Sequence, residues 1–183
     1  MWAANGAKRP LLVYQNHASM QWMRHFPDYP QVAAPADVFT CLADPYTRET
    51  AQILGRQVVT MPNSIRSFEL PKAPKTNKIV VLSRLSLSAL VSGNEGQGLN
   101  VVEAAMAEVP SVVTPCSPGV IELAEHSGYL AGGFTVDDIA QALRQAMCDD
   151  EREAVGLRAQ TYAQRFSTAA VTDNWLELFA RLA

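Results

Sequence analysis

Cysteine is scarce and poorly placed for structural use. The three present, Cys41, Cys116 and Cys148, are odd in number, far apart and without a Cys-x-x-Cys pair. That argues against a disulfide framework or a structural zinc site and fits a reducing compartment. Charge is sparse too, at 18% of residues with a net of −3. The basic residues are scattered, and the densest group, Lys72, Lys75 and Lys78, sits in a proline-bearing stretch that reads as a solvated linker. Nothing resembles the clustered Lys and Arg of a nucleic-acid-binding domain. Long apolar runs are missing as well. Lys8 and Arg9 have no apolar core behind them, and Leu11–Tyr14 is only strand-sized. Neither a signal peptide nor a membrane span is therefore expected. The expected location is the cytoplasm, with at most peripheral contact at the inner face of a membrane. His25 and His126 have no partner at ligand spacing, and the acid pairs Asp137-Asp138 and Asp149-Asp150 read as helix-terminal charges. No metal and no cofactor are expected.

What is present is a core. With 48% hydrophobic residues in 183, the chain has the composition of a packed globular protein, large enough to bury roughly 70% of its unfolded surface. Leu11–Tyr14, Ala36–Leu42 and Gln57–Met61 read as strands. Asp44–Leu54 reads as a helix, with Asp44 as N-cap, Pro45 in its first turn and Gly55 ending it. Glu69–Asn77 is polar and proline-rich, a plausible interdomain linker. Beyond it, Lys78–Leu82 is β-branched in the manner of strands buried on both faces. Ser88–Ser92 and Ser111–Thr114 read as further strands. Leu99–Glu108, Val120–His126, Asp137–Met147, Glu151–Arg165 and Thr168–Leu182 read as helices. Strands alternating with helices indicate an α/β fold built on parallel sheets. The organisation expected is a first part at 1–70 and a second at 71–183, whose final helix, 168–182, is free to pack back on the first.

The most informative stretch is Ser92-Gly-Asn-Glu-Gly-Gln-Gly-Leu-Asn-Val-Val-Glu-Ala-Ala-Met106, which follows a strand and opens a helix. Gly96 and Gly98 permit tight backbone and close ligand approach. The helix-start N–H groups near Gly98, Leu99 and Asn100 suit a phosphate through hydrogen bonds and dipole together. Glu95 precedes the helix and Glu103 lies about one turn inside it, so both are candidates to border one pocket. Read alone, these residues fit a sharp turn with a capping glutamate as well as a phosphate site.

From Leu90 to about Ala183 the chain resembles the C-terminal part of the GT-B glycosyltransferases of the family 4 type (glycosyl transferases group 1). The resemblance rests on Glu95-Gly-Gln-Gly-Leu-Asn-Val-Val-Glu103-Ala, then Pro110, Val112-Val113-Thr114, Gly119 and Glu122, in the family's order. It implies a Rossmann-like parallel fold, incomplete relative to the family. It also implies that Glu103 holds the nucleotide ribose and Glu95 the donor sugar, with the backbone from Gly98 to Asn100 near the diphosphate. Upstream, Ala36-Asp-Val-Phe-Thr and Val59-Thr-Met-Pro-Asn-Ser-Ile65 are similar to the end of the family's N-terminal, acceptor-side domain. Lys78-Ile-Val-Val-Leu-Ser-Arg-Leu85 is similar to the first strand of its C-terminal domain, which gives Arg84 a place beside the donor diphosphate. His17 falls where the family places acceptor-side residues.

The chain also departs from the family. Only ten residues separate Arg84 from Glu95, where the family inserts a Lys and two or three further strand–helix units. The N-terminal domain is largely missing. The leading expectation is a retaining, metal-independent transferase that moves a hexose from a nucleotide sugar, UDP by preference, to a glycan, lipid or protein acceptor. Catalytic roles fall to Glu95 and Arg84. The competing expectation is a non-catalytic remnant that partners a full-length transferase. A nucleotide-sugar epimerase ranks last because its His and acid constellation is not visible.

Overall fold

The computed structural model describes residues 12–17, 25, 28, 30–31, 34–65 and 86–182. The Glu69–Asn77 linker and the Lys78–Leu82 strand of the sequence reading lie outside these residues, as does Arg84. The chain forms two compact units, Met1–Met61 and Pro62–Ala183.

In the first unit, three parallel strands, β1 (Val13–Asn16), β2 (Val38–Cys41) and β3 (Val59–Thr60), lie side by side in chain order. β2 is central and buried along its length, which suits its apolar and β-branched composition. Helix α1 (Asp44–Leu54) covers the sheet through Tyr46, and Phe39, Cys41 and Val58 complete that core. The helix ends in a left-handed Gly55. Its N-cap is Ala43 rather than Asp44. Asp44 is instead the first helical residue and accepts a 2.5 Å hydrogen bond from the Thr60 hydroxyl. The acid thus ties the helix start to β3 rather than to its own backbone. The Arg56 guanidinium, just past α1, donates at 2.8 Å to both the Ala36 and the Asp37 carbonyls.

The second unit carries another parallel sheet of β4 (Ser88–Leu90), β5 (Ser111–Val113) and β6 (Gly128–Leu130), again in chain order. Helix α2 (Leu99–Met106) connects β4 to β5, and α3 (Pro118–Ser127) connects β5 to β6. After β6 come α4 (Val136–Cys148), α5 (Arg152–Ala163), a short 3₁₀ turn (Gln164–Phe166) and α6 (Thr168–Leu182). Consecutive residues of a strand face opposite ways, and β5 shows it. Val113 packs with Val101, Val102, Val120, Leu123, Ala159 and Phe166, a core supplied by α2, α3 and α5. Val112 packs with Ala142 and Ala146 of α4. Each fully buried Val or Leu is worth about 1.5–3 kcal/mol, so both faces of this short sheet contribute.

Two glycines permit the closest approaches. A Cβ on Gly128 would stand 1.9 Å from the Ser111 carbonyl oxygen, and one on Gly156 2.2 Å from that of Glu108. Helix α5 accordingly buries Val155, Gly156, Ala159 and Ala163 while Leu157 is exposed. Its inward face is chosen for smallness, so the larger apolar residue is not the one that marks it. Helix α4 opens with a capping box between Thr135 and Asp138. Its last carbonyls, on Ala146 and Met147, accept from Arg152. The acid pairs are therefore helix-terminal, as their positions suggest. Asp149 caps α4 and accepts from the Tyr129 hydroxyl at 2.7 Å.

Helix α6 is joined to the rest of this unit at its first turn, where the Thr168 hydroxyl donates to the Ile65 carbonyl at 3.2 Å and Ile65 bridges to Ser167. Trp175 is half-buried and stacks on Phe179 at 5.6 Å. Trp2 and Trp22 lie outside the described residues. No helix among the described residues is long and apolar enough to cross a membrane.

Candidate functional site

Parallel strands all point one way, so the loops following β4 and β5 emerge at the same carboxyl edge. In open α/β sheets that edge is where ligands bind. The first loop, 91–98, leads into α2 and the second, 114–117, into α3. Two helix N-termini, each with N–H groups that have no carbonyl a turn earlier, thus begin on one side of the sheet.

Gly98 makes the first of these turns. It is the N-cap of α2, with φ 70° and ψ 54°, a left-handed conformation that glycine adopts without the cost a side chain imposes. Space demands glycine as well, because a Cβ here would lie 3.1 Å from Cγ2 of Val120 on α3. Its carbonyl accepts from the Val101 N–H at 2.9 Å and from that of Val102 at 3.3 Å. Leu99 and Asn100 are exposed at the mouth of the helix. The Asn100 side-chain oxygen turns back to the Val101 N–H at 3.0 Å.

Glu95 is half-buried in the loop and Glu103 exposed on α2. Glu103 is four residues beyond Leu99 and so lies on the same exposed stripe of the helix. Gly96 is half-buried between Glu95 and Gln97. The structure therefore brings together Glu95, Gly96, Gly98, Leu99, Asn100 and Glu103 on one continuous loop and helix. His17 belongs to the first unit, exposed just past the end of β1.

Four neighbours outside the candidate site residues shape this edge. The buried Thr114 hydroxyl donates to the Ser92 carbonyl at 2.7 Å and accepts from the Ser92 N–H at 3.1 Å. It thereby holds the first residues past β4 against the end of β5. Ser117, also buried, caps α3 by accepting from the Val120 N–H at 3.4 Å. Cys116 stands between them. Burial chiefly pushes its thiol above its ordinary value, a hydrogen bond with Thr114 opposes that, and the charge of Glu95 adds to it. Glu95 therefore lies within electrostatic reach of the second loop. The fourth neighbour, Gln97, is buried and paired with the backbone of Asn63.

Further from the edge, Glu122 of α3 accepts from the Tyr162 hydroxyl at 3.3 Å. His126 stacks on the Tyr162 ring at 4.1 Å. No group of three or more His, Cys, Asp or Glu among the described residues is arranged to hold a metal ion.

A parallel α/β sheet with two helix N-termini at its carboxyl edge, one opened by Gly98 and one capped by Ser117, is a Rossmann-like unit. The family model described as glycosyl transferases group 1 matches residues 46–164, more than half of the chain. This chain belongs to that family, and its fold is of the GT-B type. A poly(ribitol-phosphate) alpha-N-acetylglucosaminyltransferase of Staphylococcus aureus (strain COL) is 29% identical over 102 residues, which cover 54% of this chain and 21% of that relative. Among solved structures, TarM is similar with a TM-score of 0.69 and 14% identity, over 96% of this chain and 51% of that one. A mutant S. aureus TarM in complex with Fondaparinux, alpha-GlcNAc-glycerol and UDP gives a TM-score of 0.71 at 16% identity, over 97% and 52%. The GtfA/B complex gives 0.66 at 16% identity, over 86% and 48%. The chain thus spans about half the length of these solved chains.

Proposed function

We propose that this chain carries the donor site of a retaining glycosyltransferase that takes a hexose from a UDP-linked donor. The acceptor is a glycan, lipid or protein hydroxyl. The observation that carries the reading is the left-handed Gly98 opening α2 at the carboxyl edge, with Glu95 before it and Glu103 one turn on. The N–H groups of Leu99 and Asn100 and the positive end of α2 would meet the diphosphate. There they would stabilise the negative charge that grows on it as the sugar leaves. Arg84 is proposed to add a fixed positive charge to that group. Glu103, exposed on the stripe that faces outward from the loop, would accept from the ribose hydroxyls. Glu95, held in the loop, would accept from the sugar and act during transfer. His17 is proposed on the acceptor side.

The relative active on poly(ribitol-phosphate) makes UDP-N-acetylglucosamine the first donor to try. Titration calorimetry of the chain with UDP and with this sugar nucleotide should show saturable binding. Glu103→Ala should weaken both by about tenfold or more, the scale of one hydrogen bond to a charged group. Absence of heat with every nucleoside diphosphate and its sugar would overturn the reading for this chain.

A further inference from the structure

Gln97 stands between Gly96 and Gly98, and its side chain is turned to the backbone of Asn63. It is only 5% exposed. Its Oε1 accepts from the Asn63 N–H at 2.9 Å and its Nε2 donates to the Asn63 carbonyl at 3.4 Å. The carboxamide thus meets both backbone groups of one residue, as a neighbouring strand would, across 34 positions of sequence. Asn63 is the second residue of this unit, which begins at Pro62. Gln97 therefore fastens the loop to the stretch by which the chain enters the unit. At the other end of the same loop, Thr114 makes an equivalent double contact with Ser92. Between these two fastenings lie only Gly93, Asn94, Glu95 and Gly96.

We infer that Gln97 is a positioning residue: pairing with the Asn63 backbone holds Gly96–Asn100 and the Glu95 carboxylate in the geometry that receives the donor diphosphate and sugar. This rests on the donor-site reading above for its ligand, though not for its mechanics. Two adjoining glycines leave the loop costly to order. A buried pair of hydrogen bonds bears that cost before a ligand arrives, and pre-organisation of this kind appears as affinity.

Gln97→Met keeps the volume and removes the carboxamide. Gln97→Glu keeps an acceptor for the Asn63 N–H and loses the donor. Native-state hydrogen exchange of both variants, followed by calorimetry with UDP-N-acetylglucosamine, tests the inference. In Gln97→Met, the amides of residues 96–102 should exchange about tenfold faster while those of 111–113 and 120–124 stay within about twofold, since only the local opening is affected. Donor affinity should fall about tenfold in step. Gln97→Glu sets a carboxylate against the Asn63 carbonyl and should loosen the loop and weaken binding at least as far, and it carries the test if Gln97→Met does not fold. Uniformly faster exchange, unchanged exchange, or a loosened loop with full affinity would each overturn the inference. If the unsubstituted chain binds no nucleotide sugar, the donor-site reading falls and exchange alone decides whether Gln97 holds the loop.

Discussion

At Gly98 two independent demands meet in one residue. The left-handed backbone, with φ 70°, costs an L-residue about 1–2 kcal/mol. A methyl group there would also press on Val120 at 3.1 Å, and overpacking adds cost of similar size. Gly98→Ala should therefore lower unfolding free energy by about 2–3 kcal/mol in urea titrations. It should also displace the start of α2, so donor binding should weaken more than stability alone accounts for. A change of less than about 0.5 kcal/mol would mean that the turn is not the one described. Glu103 makes a contrast at the same scale, since it is exposed on α2. Glu103→Ala should leave stability within about 0.5 kcal/mol, as exposed sites usually do, and its effect should appear in titration with nucleotide.

At the scale of elements, the spacing between helices is set by small residues. Within a helix, alanine is preferred to glycine by about 1 kcal/mol, so propensity alone makes Gly156→Ala a gain. The packing reverses that sign, because the new Cβ would sit 2.2 Å from the backbone oxygen of Glu108. That oxygen belongs to the tight exit from α2, where Glu108 itself has φ 60°. The Glu108 and Val109 N–H groups there return to the Ala105 and Ala104 carbonyls at 2.9 Å each. Such a turn has little freedom to retreat. We expect a net loss of about 2 kcal/mol, read as a lower denaturation midpoint with an unchanged slope. A gain in stability would show that α5 stands further from this turn than described.

Across the whole molecule, pH reports on how α3 and α5 are joined. Burial, helped by the charge of Glu122, pushes the Tyr162 hydroxyl up to about 12. The neutral phenol is the form the folded chain prefers. Between the ordinary tyrosine value near 10 and about 12, the native state holds a proton that the unfolded state has released, so stability falls as pH rises. Its contribution is complete below about pH 10 and lost as pH climbs through the folded value. Tyr129, raised by burial and by its bond to Asp149, acts in the same direction. Thermal melts from pH 8 to 11 should stay level to about pH 10 and decline beyond it, a decline that Tyr162→Phe makes shallower. An unaltered slope in that variant would place the sensitivity elsewhere.

Much of this protein was legible in the order of its residues. The alternation of strands and helices, the acid pair Asp137-Asp138 at the start of α4 and the loop from Glu95 to Glu103 all depend on neighbours within about one helical turn, and local rules reach that far. The placement of Glu103 one turn along α2 from the loop follows from helix geometry alone. The sequence misplaced the cap of α1, because Asp44 is claimed by Thr60 rather than by its own helix. It passed over Gln97, Thr114 and Ser117, whose residue types are common in turns. What marks Gln97 and Thr114 is contact with Asn63, 34 positions away, and with Ser92, 22 away, and no window of neighbours contains such partners. Ser117 caps α3 through the Val120 N–H three residues on, a local signal in Ser-Pro before a helix. By itself the sequence therefore determined the family and the glycine-bearing loop as a piece of chain. Only the packing of strands from distant segments decided how that loop is held, because the hydrogen bonds that fasten it form between groups that folding alone brings together.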